Sequence, residues 1–477
     1  MGYFGFCRRG VFFCTVEQSG ISSIAYLTVV AMIQHTSEPS SAPGRPASSS
    51  TAPAGTGPLT RRQAMMAVIV CWLLVVFDGY DLIVFGTVQT SLLQDTDWGL
   101  TDAGLGVVGS MAFVGMMLGA LFAGRLADAL GRRRTILACA VTFSVFTILC
   151  AFAPSAWVFG AFRLVAGIGL GGLVPSANAM VAELVPARWR SSIATLMMSG
   201  VPIGGTLAAL IGIPVIPAFG WPAMFLVALL ALVVVVPLGF AFLPETLASE
   251  QRSSRAPARG AGDAEPRRAG GFAGLLRPPY LLVSVMFALA TLATLFAWYG
   301  LGTWLPRAME SLGYDLGSAL TFALSLNIGA VVGSVVTAWA GDRYGSVKAG
   351  VVAAALAGVA LLALLLSPPV WLVYVILMVA GVGTHGTQCL IIAAVSNHYP
   401  GYLRGTALGW ALGVGRLGAV TAPLVAGFLL NNGYGAGSLF VAFGIAAVAA
   451  AVLQVIIIAQ GHGGRSTDRG VAAPAAS

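Results

Sequence analysis

Two carboxylates, Asp78 and Asp81, stand in the stretch FDGYDLIVFG (77–86), inside a run that is otherwise apolar from about Ala64 to Ser91. Their i, i+3 spacing puts both on one side of a helix. An acid near the middle of a membrane-spanning helix is costly, and such acids face a cavity and mark ion or proton paths. Burial and a like-charged neighbour both favour the neutral carboxylic acid. The chemistry this suits is reversible protonation. The competing reading is a structural acid permanently paired to a neighbouring helix, and two coupled acids titrate as a unit, which leaves their individual roles open.

Arg416, in GVGRLG, lies about halfway along another apolar run. A buried guanidinium needs an anion, and its fork matches a carboxylate bidentately. Two roles fit, holding a substrate carboxylate or pairing with an aspartate while the site is empty, and both can hold in succession. Arg163 lies about seven residues into the fourth apolar run, where a structural ion pair suits it. His385 and Gln388, in GTHGTQC, are one turn apart and suited to hydrogen-bonding a substrate hydroxyl or carboxyl, as is Asn327 in its own run. For a lone His the packing role is the commoner one. Trp298, Tyr299, Trp304 and Trp410 are candidates to stack on an aromatic ring, although Trp304, near a helix end, also suits an interface anchor. Trp410 is the preferred partner, despite standing six residues before Arg416 and so on a different helical face.

The elements that carry these residues follow from composition. Hydrophobic residues make up 58% of the 477-residue chain and charged residues 9%, with a mean hydropathy of +0.89. A soluble protein of this length needs far more polar surface. Twelve apolar runs, from 64–91 to 436–459, are each long enough to span a bilayer, among them 191–215, 221–243 and 281–304. They are expected to be helices, because backbone groups in lipid must be satisfied within the segment. The predicted fold class is therefore an all-α polytopic membrane protein with 12 transmembrane helices.

The net charge of +8 is a topology signal rather than a nucleic-acid footprint. Arg125 and Arg132–Arg134 follow the second run, Arg188 and Arg190 the fourth, six arginines the sixth, and Arg343 and Lys348 the eighth, while Arg404 precedes the eleventh. Connections on the other side carry Arg307 with Asp95, Asp97, Asp102, Glu310 and Asp315. Basic loops stay in the cytoplasm, so both termini are predicted there, with the protein in the cell inner (plasma) membrane. The six cysteines show neither paired nor metal-ligand spacing. No nucleotide-binding loop, zinc-protease motif or Ser/His pair appears. An enzyme is not expected, nor is a metal or cofactor.

An offset of 214 residues carries Asp128 onto Asp342 and Gly131 onto Gly345. It also lays GIGLGGLVPSANAMVAELVPARWR (167–190) without a gap on GVGTHGTQCLIIAAVSNHYPGYLR (381–404). Two six-helix pseudo-repeats follow, 61–243 and 279–460, joined by an Arg/Ala/Gly/Pro-rich cytoplasmic linker at 244–278. Parallel repeats of this kind place a substrate site at the midplane between them. Residues 1–60 and 461–477 read as disordered tails. The 13-residue apolar stretch ISSIAYLTVVAMI is too short to span, and no signal-peptide cut site follows it; the functional chain is expected to begin near Met32.

GRLADALGRRR (124–134), between the second and third runs, resembles the signature loop of the major facilitator superfamily, and RLVAGIGLGG (163–172) resembles its fourth-helix motif. More narrowly, DGYD in the first run, YLRGTALGWALGVGRLGA (402–419) and GDRYG (341–345) resemble the aromatic acid:proton symporter family. The resemblance covers about residues 60–460. It implies the major facilitator fold, a monomer, and proton-driven import of a benzoate, hydroxybenzoate, gentisate or protocatechuate type of acid by alternating access. Its partners would be the acid, protons and the bilayer, with no nucleic acid. It implies a proton-coupling role for Asp78, Asp81 and Arg163. Gly124, Asp128, Gly131, Arg132 and Arg133, with Glu183, Arg190, Asp342 and Arg404 at the same membrane edge, would form the cytoplasmic gate; a solvated basic turn is the plainer alternative. A proton-driven exporter of acids or drugs would share nearly all these residues. A membrane enzyme or receptor fits least, because the short loops hold no catalytic constellation or soluble module.

Overall fold

The computed structural model of the protein describes residues 60–186, 189–244, 272–275, 277–278 and 280–462. The expected tails, the start near Met32 and nearly all of the expected linker lie outside these residues. Among those described, twelve helices are long and apolar enough to cross a membrane. They are α1 (Arg61–Gln94), α2 (Asp102–Leu130), α3 (Arg132–Cys150), α4 (Ala156–Leu184), α5 (Arg190–Phe219), α6 (Pro222–Phe242), α7 (Leu281–Ser311), α8 (Leu316–Tyr344), α9 (Ser346–Ala363), α10 (Val370–His398), α11 (Gly401–Asn431) and α12 (Gly435–Ile457). Leu210, Val233, Val335 and Val359 are among many large apolar side chains on the outside, the surface a bilayer would cover. The twelve-span expectation is borne out.

Local chemistry sets where these helices begin. Thr60 starts α1 with a reciprocal capping box to Gln63, and Thr101, Ser155 and Asp315 cap α2, α4 and α8 with side-chain oxygens that accept from the first turn. These satisfy donors a helix start would otherwise leave bare. Several helices run past interior prolines: Pro175 in α4, Pro202, Pro214 and Pro217 in α5, Pro306 in α7 and Pro423 in α11. Hydrocarbon offers no better place for the backbone, so the helix continues. α6 contains a π-helical turn at Ala231–Val235, just before Pro237.

The 214-residue repeat reappears in the packing. Gly131 ends α2 and starts α3 at φ 88°, and Gly345 does the same between α8 and α9 at φ 91°, a backbone region that disfavours any Cβ. A Cβ on Gly167 would come within 2.1 Å of the Ala112 carbonyl oxygen, and one on Gly381 within 2.0 Å of that of Leu326. Gly115 meets Leu164 as Gly329 meets Met378. α4 thus presses on α2 as α10 presses on α8, backbone to backbone, the contact that drives helix association where water is absent.

The first half, α1 to α6, meets the second, α7 to α12, along α2–α11, α5–α8 and α1–α7. We call the end bearing Arg62, Arg132–Arg134, Arg343, Lys348 and Arg404 the basic end, and the other the far end. At the far end the halves are clamped. Gly86 of α1 lies against the Thr303 carbonyl of α7, Gly106 of α2 against that of Pro423 in α11, and Gly427 of α11 against that of Asp102. Arg307 of α7 donates to both carboxylate oxygens of Asp102 at 3.0 and 3.4 Å, and Thr90 of α1 donates to Glu310 of α7. Toward the basic end, α11 turns Gly405, Gly409 and Gly413 to open space.

Candidate functional site

The two aspartates of α1 share a side of the helix but not a set of partners. Three residues turn a helix by 300°, so the pair diverge by about 60°. Asp81 points into its own half. Its Oδ2 accepts from Arg163 Nη1 of α4 at 2.7 Å, its Oδ1 accepts from Thr147 Oγ1 of α3 at 2.6 Å, and Arg163 also donates to its backbone carbonyl at 3.1 Å. The Arg163 guanidinium lies 5.8 Å from the Phe85 ring centroid. Both ion-pair partners are about 2% exposed. Tyr80, between the aspartates, donates to the Met224 carbonyl at 2.8 Å and fixes the rotation of α1 against the start of α6.

Asp78 points toward the other half. It is 1% exposed, and its Oδ1 has no hydrogen-bond partner among the described residues. Arg416 of α11 is near enough to act on it electrostatically. Arg416 is half-buried. It donates to the Met116 sulfur of α2 at 3.6 Å, one turn along α2 from Phe113, whose ring lies 4.9 Å from that of Tyr299 in α7. One acid from the first half and one cation from the second therefore face each other beneath the far-end clamp. The arrangement suits an anion on Arg416 and a proton on Asp78.

His385 and Gln388 lie on α10. His385 has its ring centroid 5.0 Å from that of Trp298 in α7, tilted by 52°, and the Cys389 sulfur lies 3.9 Å from its Nε2. Gln388 is buried, and its Oε1 has no hydrogen-bond partner among the described residues. Asn327 of α8 donates to Ala323 O at 2.8 Å, and its Oδ1, beside Gly205 of α5, has no hydrogen-bond partner among the described residues. Trp410 stands apart from this group. Its indole donates to Ser284 O at 3.1 Å and meets Phe272 edge-on at 5.1 Å, so it seats the helical turn Phe272–Leu275 on the second half.

At the basic end Arg132 and Glu183 form an ion pair at 2.7 Å, joining the starts and ends of α3 and α4, and Arg133 donates to Phe240 O at 2.5 Å. Gly124, Asp342 and Arg404 are exposed. The side chains of Asp128 and Arg190 lie outside what the structure describes. Thr147, Phe113 and Met116 had no distinguishing sequence signal, and Tyr299 was legible only as a ring.

The sequence pattern described as Major Facilitator Superfamily matches residues 71–336 and again 321–476. The chain belongs to that superfamily. The transporter is 55% identical over 397 residues to a gentisate transporter of Corynebacterium glutamicum, covering 83% of this chain and 87% of that one. It is 31% identical to a benzoate transport protein of Acinetobacter baylyi, covering 76% and 83%. Both bear out the resemblance to the aromatic acid:proton symporter family. Its fold is similar to that of a D-xylose–proton symporter crystal structure, with a TM-score of 0.67 at 17% identity, over 82% of this chain and 97% of that one. It is a multi-pass membrane transporter and not an enzyme.

Proposed function

We propose that the protein imports an aromatic carboxylate together with protons by alternating access, with gentisate the leading substrate given the 55% identical relative. The observation that carries this reading is the buried Asp78 carboxylate, whose Oδ1 has no hydrogen-bond partner among the described residues, within electrostatic range of half-buried Arg416 of the other half. Arg416 holds the substrate carboxylate. Asp78 takes a proton when the site opens to the far end, which relieves its pull on Arg416. The Asp81–Arg163–Thr147 cluster holds α1 so that Asp78 keeps its aim. Gln388, His385 and Asn327 are the polar groups nearest in role to ring hydroxyls. The basic end is cytoplasmic, and the far-end clamp with the open glycine face of α11 corresponds to an inward-facing state.

Energetics favours coupling. Driving a monoanion inward against an inside-negative potential costs about 2.3 kcal/mol per 100 mV, and one accompanying proton cancels that cost. The test is uptake of radiolabelled gentisate, benzoate, 3- and 4-hydroxybenzoate and protocatechuate into proteoliposomes under an inward proton gradient. Gentisate should accumulate, and an uncoupler should abolish accumulation. Failure to accumulate any of these acids would refute the reading.

A further inference from the structure

We infer that Met116 is a positioning residue for Arg416, a placeholder whose sulfur engages the guanidinium while the site is empty and gives way to the substrate carboxylate. The inference rests on the reading that Arg416 holds that carboxylate. Arg416 Nη1 of α11 donates to Met116 Sδ of α2 at 3.6 Å, so the bond crosses from one half to the other. Met116 is 1% exposed, and its main chain is fixed within the first half. A Cβ on Gly171 of α4 would come within 2.1 Å of the Met116 carbonyl oxygen, and one on Gly167 within 3.1 Å of the Met116 nitrogen. The backbone here moves with α4, and only the flexible thioether arm reaches across the seam.

The kind of acceptor is what makes this contact useful. A guanidinium carries only N–H donors, and burying it without an acceptor is costly. A strong acceptor in the same place would hold the empty site against the substrate. A thioether is a weak acceptor, whereas a carboxylate binds a guanidinium through charge-assisted bonds about twice as strong as neutral ones. The sulfur therefore keeps Arg416 aimed into the seam and loses to a carboxylate that arrives. With Asp78 protonated, it is a partner that remains. Packing alone would be served by leucine, which has similar bulk and no acceptor. Because Met116 belongs to the opposite half, the exchange also removes a bond that ties the halves together. Loading the site loosens the seam that must move next.

The test measures binding of gentisate and of benzoate to the purified full-length transporter, together with thermal melting in the absence of ligand. Met116→Gln puts an amide oxygen on Arg416 and should weaken both acids by about tenfold, near the lower end for a hydrogen bond to a charged group. Met116→Leu leaves nothing to displace and should tighten both by about threefold, the scale of a weak neutral bond. The shifts should be equal for the two acids, because they concern only the carboxylate. A packing role predicts another pattern, in which neither variant tightens binding and Met116→Gln lowers the melting temperature whether or not Arg416 is present. The placeholder role predicts that Met116→Gln costs stability only on an Arg416→Leu background, where its amide has lost its partner. Met116→Leu binding no more tightly than wild type would overturn the inference, and so would Met116→Gln with wild-type affinity. Those outcomes leave the transport reading intact. A wild-type protein that binds neither acid would overturn both.

Discussion

Replacing each aspartate of α1 by asparagine should separate stability from coupling. Asp81→Asn breaks a buried ion pair whose guanidinium is 2% exposed and whose second oxygen is held by Thr147. Stranding a buried partner in this way costs about 3–5 kcal/mol, so the purified variant should lose several degrees of thermal stability. Asp78→Asn removes a carboxylate with one oxygen unpartnered, and stability should hold or rise. Transport should show the opposite ranking. With one proton per monoanion the cycle is electroneutral, and an inward gradient of one pH unit supports roughly tenfold accumulation, because each unit is worth about 1.4 kcal/mol. Without the proton, the same anion faces an inside-negative 100 mV worth about 2.3 kcal/mol, or roughly 50-fold exclusion. In proteoliposomes carrying both gradients, Asp78→Asn should fall from accumulation to exclusion while still exchanging labelled for unlabelled substrate. An Asp78→Asn protein that accumulates gentisate with wild-type pH dependence, or an Asp81→Asn protein as heat-stable as wild type, would refute the division of roles.

Two other perturbations address the frame around the site. Arg307→Ala removes the half-buried contact with Asp102; at about 1 kcal/mol it should move the population roughly fivefold toward far-end opening, read as faster thiol labelling of a Thr303→Cys reporter, and no change in labelling would contradict the clamp. Asp315 is exposed, and the Ser318 hydroxyl and amide that donate to it lower its pKa below 3.8. A depressed carboxylate contributes its cap above the unfolded pKa and loses it as pH falls through the folded one. Protection of the Ser318 amide, measured against its intrinsic exchange rate, should therefore fall only below about pH 4, and Asp315→Asn should remove that acid dependence.

Much of the fold is legible because lipid imposes one rule on every segment. Length and hydropathy find all twelve helices, while their ends move: 281–304 extends to Ser311 because Pro306 does not stop a helix in this setting, and 191–215 runs through Pro214 and Pro217 to Phe219. The repeat offset is visible in sequence since glycines at backbone contacts tolerate no substitute. The site is legible only in its charges. Spacing puts Asp78 and Asp81 on one side of α1, but which neighbour each one meets depends on where α3, α4 and α11 stand, a tertiary fact. Trp410 is a case of the same kind. Its aromatic character is plain, yet the nearby turn Phe272–Leu275 that it seats belongs to a segment with no apolar period. Thr147 is one hydroxyl among several in α3, and only the folded helix shows that it caps Asp81.

The glycine contacts also have a mechanical side. Gly115, Gly167, Gly329 and Gly381 hold their helices at backbone distance within each half, leaving no compressible side-chain layer between them, so each half is stiff. A Cβ on Gly405, Gly409 or Gly413 would meet nothing within 4 Å among the described residues of the other elements, which leaves the flank of α11 smooth. Deformation under load then has one place to go, the seam between two unyielding shells. A methyl group added at Gly167 or Gly381 would be felt as lost fold stability. The same methyl at Gly409 would go unnoticed in the resting protein and be felt only as friction, when the shells roll and that smooth flank must receive another helix.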